Sequence, residues 1–195
     1  MNVIDEKYLQ SLKSAFNFAE KKSFCQIATV EKTIDGCLPK SRTVLLYLLE
    51  ERNAFRLTCS TQTHKWMELK ATPKVTGLYL DTETYTQYRF EADATLIDNT
   101  TEDEKALYES SWAAIRPDLR HVLWQEYLDD PNASYNIDEI FPHHGTVLLK
   151  PYYWDIFKLG LEDFADSRRT QMVLKSAQWE IHDNGPRICS LDIKR

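Results

Sequence analysis

The chain is poor in glycine. Gly36, Gly77, Gly145, Gly160 and Gly185 are scattered over 195 residues. No two lie close enough to build G-x-G-x-x-G or a P-loop, so a Rossmann turn or a Walker loop is excluded as a phosphate cradle. The four cysteines, Cys25, Cys37, Cys59 and Cys189, show no C-x-x-C spacing. They read as reduced thiols, and with them a cytoplasmic location is expected. No apolar run approaches the ~20 residues of a membrane span. The opening MNVIDEKYLQ lacks the basic and apolar regions of a secretory signal. Positive charge is in deficit: 24 Lys and Arg against 30 Asp and Glu leave −6, which argues against general nucleic-acid affinity.

What is present is an ordinary globular composition, 43% hydrophobic and 28% charged. It suffices for one sizeable core, and a single domain over residues 1–195 is expected. Tyr8, Leu9, Leu12, Ala15, Phe16 and Ala19 recur at three- and four-residue spacing, which predicts an amphipathic helix over 5–21. Strands are expected over 24–30, 39–49, 54–59, 75–80 and 84–97. Helices are expected over about 62–71, from a cap at Thr100 or Thr101, and after Pro117. Residues 128–142 read as a loop or short helix. A strand over 145–151, a further strand or continuation over 152–159, and a hairpin from 169–174 and 179–182 follow, with one more short apolar run in the tail. In the strand over 84–97, Tyr85, Gln87, Arg89 and Glu91 share one face, opposite Thr86, Tyr88, Phe90, Ala92 and Ala94. That polar ladder is either a solvated side or the wall of a cleft or partner contact. Many short antiparallel strands with few helices indicate a mainly β (β+α) barrel or sandwich with helices packed outside.

One stretch concentrates phosphate chemistry. Arg42 begins one strand, Thr58 ends the next, Ser60 to Thr63 lead into a helix, and Lys65 sits in its first turn. If those two strands form a hairpin, Arg42 and Thr58 are neighbours and Lys65 swings back over them. Free helix N–H groups, hydroxyls, a guanidinium fork and an ammonium together suit a phosphate. The same residues also fit a plainer role, with Thr61 or Thr63 capping the helix and both cations solvated. His143 and His144 are adjacent and point apart, so no metal site is expected. Cys59 and His64 lack an orienting acid for nucleophilic catalysis.

Together, Arg42-Thr43-Val44-Leu45-Leu46 at a strand start, Thr58 to Lys65 after the next strand, Pro73 after the helix and Gln87-Tyr88-Arg89 resemble a known family. It is that of the pyridoxamine 5'-phosphate oxidase-like FMN-binding split barrels. The run Trp112 to Arg120 resembles a pattern of an uncharacterised branch of it. The similarity covers most of the chain and weakens after residue 125. It implies an antiparallel split β-barrel with flanking helices, a homodimer, FMN at the dimer interface and a small-molecule substrate.

By motif, Arg42 and Lys65 would hold the phosphate, and Thr58, Thr61 and Thr63 would donate hydrogen bonds. Thr43, Leu57 and His64 would stand alongside. Val44 and Leu45 would give backbone contacts to the flavin ring, and Gln87 would reach it from the partner subunit. The resemblance implies an FMN-dependent oxidoreductase with its substrate, electron donor and acceptor open. Alternatives are a pyridoxamine 5'-phosphate oxidase proper and a non-catalytic flavin- or haem-binding module. Tyr47 stands where the family carries a Lys, Phe157 near its Trp, and Glu162, Asp163 and Phe164 where the oxidase has Arg and His. These departures imply that pyridoxamine 5'-phosphate is a poor substrate. Arg168 and Arg169 both stand as candidates for the family's last Arg.

Overall fold

The computed structural model describes residues 6–16, 24–128 and 134–183. Helix α1 (Glu6–Ala15) precedes strands β1 (Phe24–Thr33), β2 (Gly36–Leu45), β3 (Tyr47–Leu49) and β4 (Ala54–Ser60). Helix α2 (His64–Ala71), strands β5 (Lys74–Asp81) and β6 (Thr86–Ile97), and helices α3 (Lys105–Ala113) and α4 (Pro117–Leu128) follow. Strands β7 (His144–Lys158), β8 (Arg168–Lys175) and β9 (Gln178–Asp183) complete the described part. Every pairing is antiparallel. The nine strands follow the path β2-β1-β5-β6-β7-β4-β3, with β8 and β9 branching from β7.

The expected strand over 39–49 is two strands. Leu46 alone separates β2 from β3, yet these lie at opposite ends of the path. The sheet therefore curls until its two edges meet at Leu46, whose exposure is 0%. No ladder joins the edges, so this is a split barrel rather than a closed one. At Leu46 the chain exchanges one partner for another. Arg42 pairs with Ile27 of β1, whereas β4 pairs with β3 through Tyr47 and Arg56. The expected hairpin forms only between Tyr47–Leu49 and residues 54–56, and it does not make Arg42 and Thr58 direct neighbours.

The two strand segments expected over 145–159 are one. In β7, Glu91 opposes Tyr153 and Ala92 opposes Pro151, so Tyr152 is the extra residue of a β-bulge. The bulge lets one long strand serve two partners, β4 along its first half and β8 along its second. Residues 134–143 run as coil and turns, with neither helix nor strand. Thr101 does not cap its helix. Its hydroxyl bonds to Asp98, and a 3-10 turn over Glu102–Glu104 intervenes before α3. The second half of the predicted N-terminal helix, Cys189 and the apolar tail lie outside the described residues.

The alternation expected for β6 holds, with Thr86, Tyr88, Phe90, Ala92 and Ala94 buried. Phe90 sits in an aromatic stack with Phe55 at 5.2 Å and Trp154 at 5.1 Å between ring centroids. Phe16 meets Phe55 at 4.8 Å and so brings the end of α1 into the same core. Gly77 on β5 lies directly under Phe90, where a Cβ would stand 2.1 Å from the ring. Gly145 admits Trp66 of α2 in the same way, a Cβ there falling 2.6 Å from the indole. Helix α2 is thereby seated on the start of β7.

Beneath α3, the His144 imidazole lies 2.7 Å from the Ser111 hydroxyl and beside the ring of Trp112. Burial pushes its pKa from the ordinary 6.5 down to about 4. The unfolded chain takes up this proton first on acidification. Stability therefore falls as pH drops from about 6.5 towards 4, by roughly 3 kcal/mol for this group alone, and no further below that. Denaturant titrations across this window are expected to show a shallower pH dependence for His144→Gln than for the wild type.

Candidate functional site

Directly opposed residues on an antiparallel ladder share a face. Arg42 opposes Ile27, a core residue of 0% exposure, so Arg42 points to the inner side of the curled sheet. Thr29, two residues along β1 from Ile27, shares that side. Trp66 and Leu69 of α2 pack into the core and hold the helix over this region. Lys65 and Glu68 stand three residues apart on α2 and so lie on one helical face.

The result is a compact charged group. Arg42 Nη2 donates to Glu68 Oε2 at 2.7 Å, and the Thr29 hydroxyl donates to the same oxygen. Glu68 is 6% exposed. Burial raises its carboxyl pKa, but hydrogen bonds from Thr29 and Arg42, with the charges of Arg42 and Lys40, outweigh burial and lower it overall. Arg42 Nη1 is buried and, among the described residues, has no hydrogen-bond partner. Burial lowers the pKa of the Lys65 ammonium. Repulsion from Arg42 adds to the shift, while Cys59 and Glu68 oppose it. Two cations thus share one carboxylate in a half-buried place.

Thr63 is the N-cap of α2. Its hydroxyl accepts from Trp66 N at 3.4 Å and donates to the Ser60 carbonyl at 2.8 Å. The plainer reading of that threonine is therefore realised beside the charged group. Thr61 donates its backbone N–H to the His143 carbonyl, and His64 is exposed. Leu57 is a core residue, and Val44 and Leu45 are half-buried at the end of β2, with Thr43 exposed. Thr58 opposes Thr146, so it faces α3 and α4 rather than α2. It lines a cavity of about 110 Å³ with Leu119, Leu123, Phe141 and His144. The side chain that β4 brings to Lys65 is instead Cys59, whose thiol is pushed up by burial and pulled down by Lys65 and Thr63.

Gln87 begins a second polar group. It opposes Phe157 on β7, and Phe157 opposes Arg169 on β8. Next to them, buried Asp155 accepts from Arg89 Nη2 at 2.7 Å and from Arg169 Nε at 2.8 Å. Arg168 instead bonds the Ala165 and Ser167 carbonyls, so Arg169 is the one aligned with Gln87. Gln87 and Arg89 project from the outer face, opposite Tyr88 and Phe90. The chain therefore displays the Arg42 group and the Gln87 group on opposite faces of one sheet. Tyr47 has the Arg56 guanidinium 4.8 Å over its ring.

Sequence reasoning named both cations, passed over Glu68 and Thr29, and weighed Cys59 only as a nucleophile beside His64. The signal for Glu68 was its i+3 spacing from Lys65. The signal for Thr29 was the tight turn at Ile34 and Asp35, which pairs Thr33 with Gly36, sets the β1–β2 register and so puts Thr29 diagonal to Arg42. Arg42→Met strands a buried carboxylate with Thr29 as a partner. With Arg42 itself 24% exposed, the expected loss is about 2 kcal/mol, below the ~3–5 kcal/mol of a fully buried pair that is broken. Adding Glu68→Gln should recover part of it. A double-mutant cycle by chemical denaturation checks this, and additive losses would contradict the coupling.

A family model described as pyridoxamine 5'-phosphate oxidase matches residues 12–131. Among solved structures, a pyridoxamine 5'-phosphate oxidase-related, FMN-binding protein from Nostoc punctiforme superposes with a TM-score of 0.76. The alignment covers 95% of this chain and 100% of that one at 20% identity. PhzG from Burkholderia lata, solved with tetrahydrophenazine-1-carboxylic acid, gives a TM-score of 0.67 over 93% and 92% at 14% identity. At such identities the likeness speaks for the fold alone. No curated protein matches the sequence.

Proposed function

The chain belongs to the pyridoxamine 5'-phosphate oxidase family, and from that premise we propose that it is a cytoplasmic, homodimeric, FMN-dependent oxidoreductase acting on a small molecule. The observation that carries the FMN assignment is Arg42 Nη1, a buried donor without a partner among the described residues, beside an ammonium whose pKa burial has lowered. An unmet guanidinium donor is costly, and a phosphate oxygen answers it with a charge-assisted hydrogen bond. The residues present therefore fit a phosphate monoester. FMN, when bound, supplies the redox chemistry.

The chain's own residues bind and orient. Arg42 and Lys65 hold the phosphate, and Thr61, Thr63 and His64 stand at the helix start beside it. Val44 and Leu45, at the end of β2, offer backbone to the ring. Gln87 lies on the face opposite Arg42, so a single flavin meets both only across two copies of the chain. This supports a cofactor shared at a two-fold interface, each site drawing Arg42 from one protomer and Gln87 from its partner. The Tyr47–Arg56 pair stands where the family carries its Lys, which favours a substrate other than pyridoxamine 5'-phosphate.

Titration of the apoprotein with FMN tests the assignment. Arg42→Ala and Lys65→Ala should each weaken binding by about tenfold to a hundredfold, that is ~1.5–3 kcal/mol. Sedimentation followed at the flavin absorption should show a dimer, and a fully loaded monomer would remove the shared site. The pH dependence has a definite sign. A bound phosphate raises the Lys65 pKa back towards its ordinary value, so affinity falls as pH climbs through the lowered value of the free protein. Lys65→Arg should lose that alkaline limb because a guanidinium stays charged.

A further inference from the structure

The phosphate cradle contains a carboxylate, which at first sight opposes its purpose. Glu68 brings a negative charge into a place proposed to receive a dianion. Its geometry gives it a different task. The carboxylate descends from α2 between two diagonal neighbours of the β1–β2 ladder, Thr29 and Arg42. One oxygen, Oε2, accepts from both. The Thr29 hydroxyl fixes that oxygen, and the oxygen fixes Arg42 Nη2 at 2.7 Å. With one end of the planar fork tied, the direction of the other end, Nη1, is also set, and Nη1 is the end left buried without a partner among the described residues.

Charge points the same way. Burial lowers the Lys65 ammonium pKa, repulsion from Arg42 lowers it further, and Glu68 draws on both cations. Without it, two like charges would face each other at the head of α2. Arg42, 24% exposed, would have a route to solvent. An arginine that must be drawn back out of water costs rotamer entropy when the ligand arrives. We propose that Glu68, itself anchored by Thr29, is a positioning residue that holds Arg42 in its phosphate-binding orientation and so sets the preference for a phosphorylated flavin over the unphosphorylated one. This inference rests on the assignment of Arg42 and Lys65 to the FMN phosphate.

The test compares FMN with riboflavin, which share the ring and ribityl chain and differ in the phosphate. Apoprotein is titrated with each by fluorescence quenching, for the wild type, Glu68→Ala, Glu68→Gln and Thr29→Val. Thr29→Val is the milder change should Glu68→Ala fold poorly. Glu68→Ala and Thr29→Val should weaken FMN by about tenfold while leaving riboflavin unchanged. Glu68→Gln keeps an acceptor oxygen for both donors and should restore most of the FMN preference. A merely structural role would lower both affinities together, and that result overturns the proposal. So does Glu68→Ala or Thr29→Val binding FMN as tightly as the wild type, because the carboxylate is then only a counter-charge. If the wild type itself takes up FMN and riboflavin equally, the phosphate assignment of Arg42 and Lys65 fails, and this inference with it. A wild type that prefers FMN, with variants that keep the preference, sinks the positioning role alone.

Discussion

The structure depends on the closure at Leu46. A single buried residue joins the two ends of a curled sheet, so the chain passes from one edge of the barrel to the other without a loop. This step decides which strands can pair. It gives β2 to β1 and β3 to β4, and it leaves a seam without hydrogen bonds between them. Arg42 lies just before the step and Tyr47 just after it. The proposed phosphate group and the Tyr47–Arg56 stack are therefore close in sequence, yet they belong to different ladders.

Much of this was legible in the chain, for reasons of periodicity. The two-residue alternation of β6 placed Gln87 and Arg89 outside and Tyr88 and Phe90 inside. The paucity of glycine directed attention to side chains as phosphate ligands, and both cations were found from their types and spacing. What was hidden is non-local. A continuous apolar run, Val44 to Leu49, carries no mark of the partner exchange at Leu46, because burial on both sides of the step makes the residues alike. The bulge at Tyr152 was hidden likewise, since either half of β7 reads as a complete strand. Thr58 and Cys59 show the limit of motif reasoning. Adjacent strand residues point to opposite faces, and only the observed pairing of Thr58 with Thr146 shows which of them meets Lys65.

The electrostatics of the site follow from the same arrangement. Arg42 comes from an edge strand and Lys65 from a helix held over the inner face, so neither cation was placed by the other. Their repulsion is moderated by one carboxylate from the helix and one hydroxyl from β1. Arg89 and Arg169 repeat the scheme on the outer face, where two guanidiniums converge on Asp155. In both groups a single buried acid holds a guanidinium that comes from another element. The acid acts as a geometric fixture, which is a more reliable use of a buried charge than net stabilisation.

The seat of Trp66 on Gly145 has a further meaning for how the molecule comes into being. The indole that secures α2 rests on a strand nearly eighty positions later in the chain, and that strand is in register only once β4 and β7 have paired. Helix α2 is eight residues long, too short to persist by itself in water. Only the Thr29–Arg42 half of the charged group therefore has a local precursor, the β1–β2 hairpin. The complete group cannot exist in a nascent chain that ends before β7, and it must assemble among the later events of folding, after the long-range ladder has formed. A chain interrupted before Gly145 would carry every residue of the Arg42 group without the seat that holds Lys65 and Glu68 over the β1–β2 hairpin.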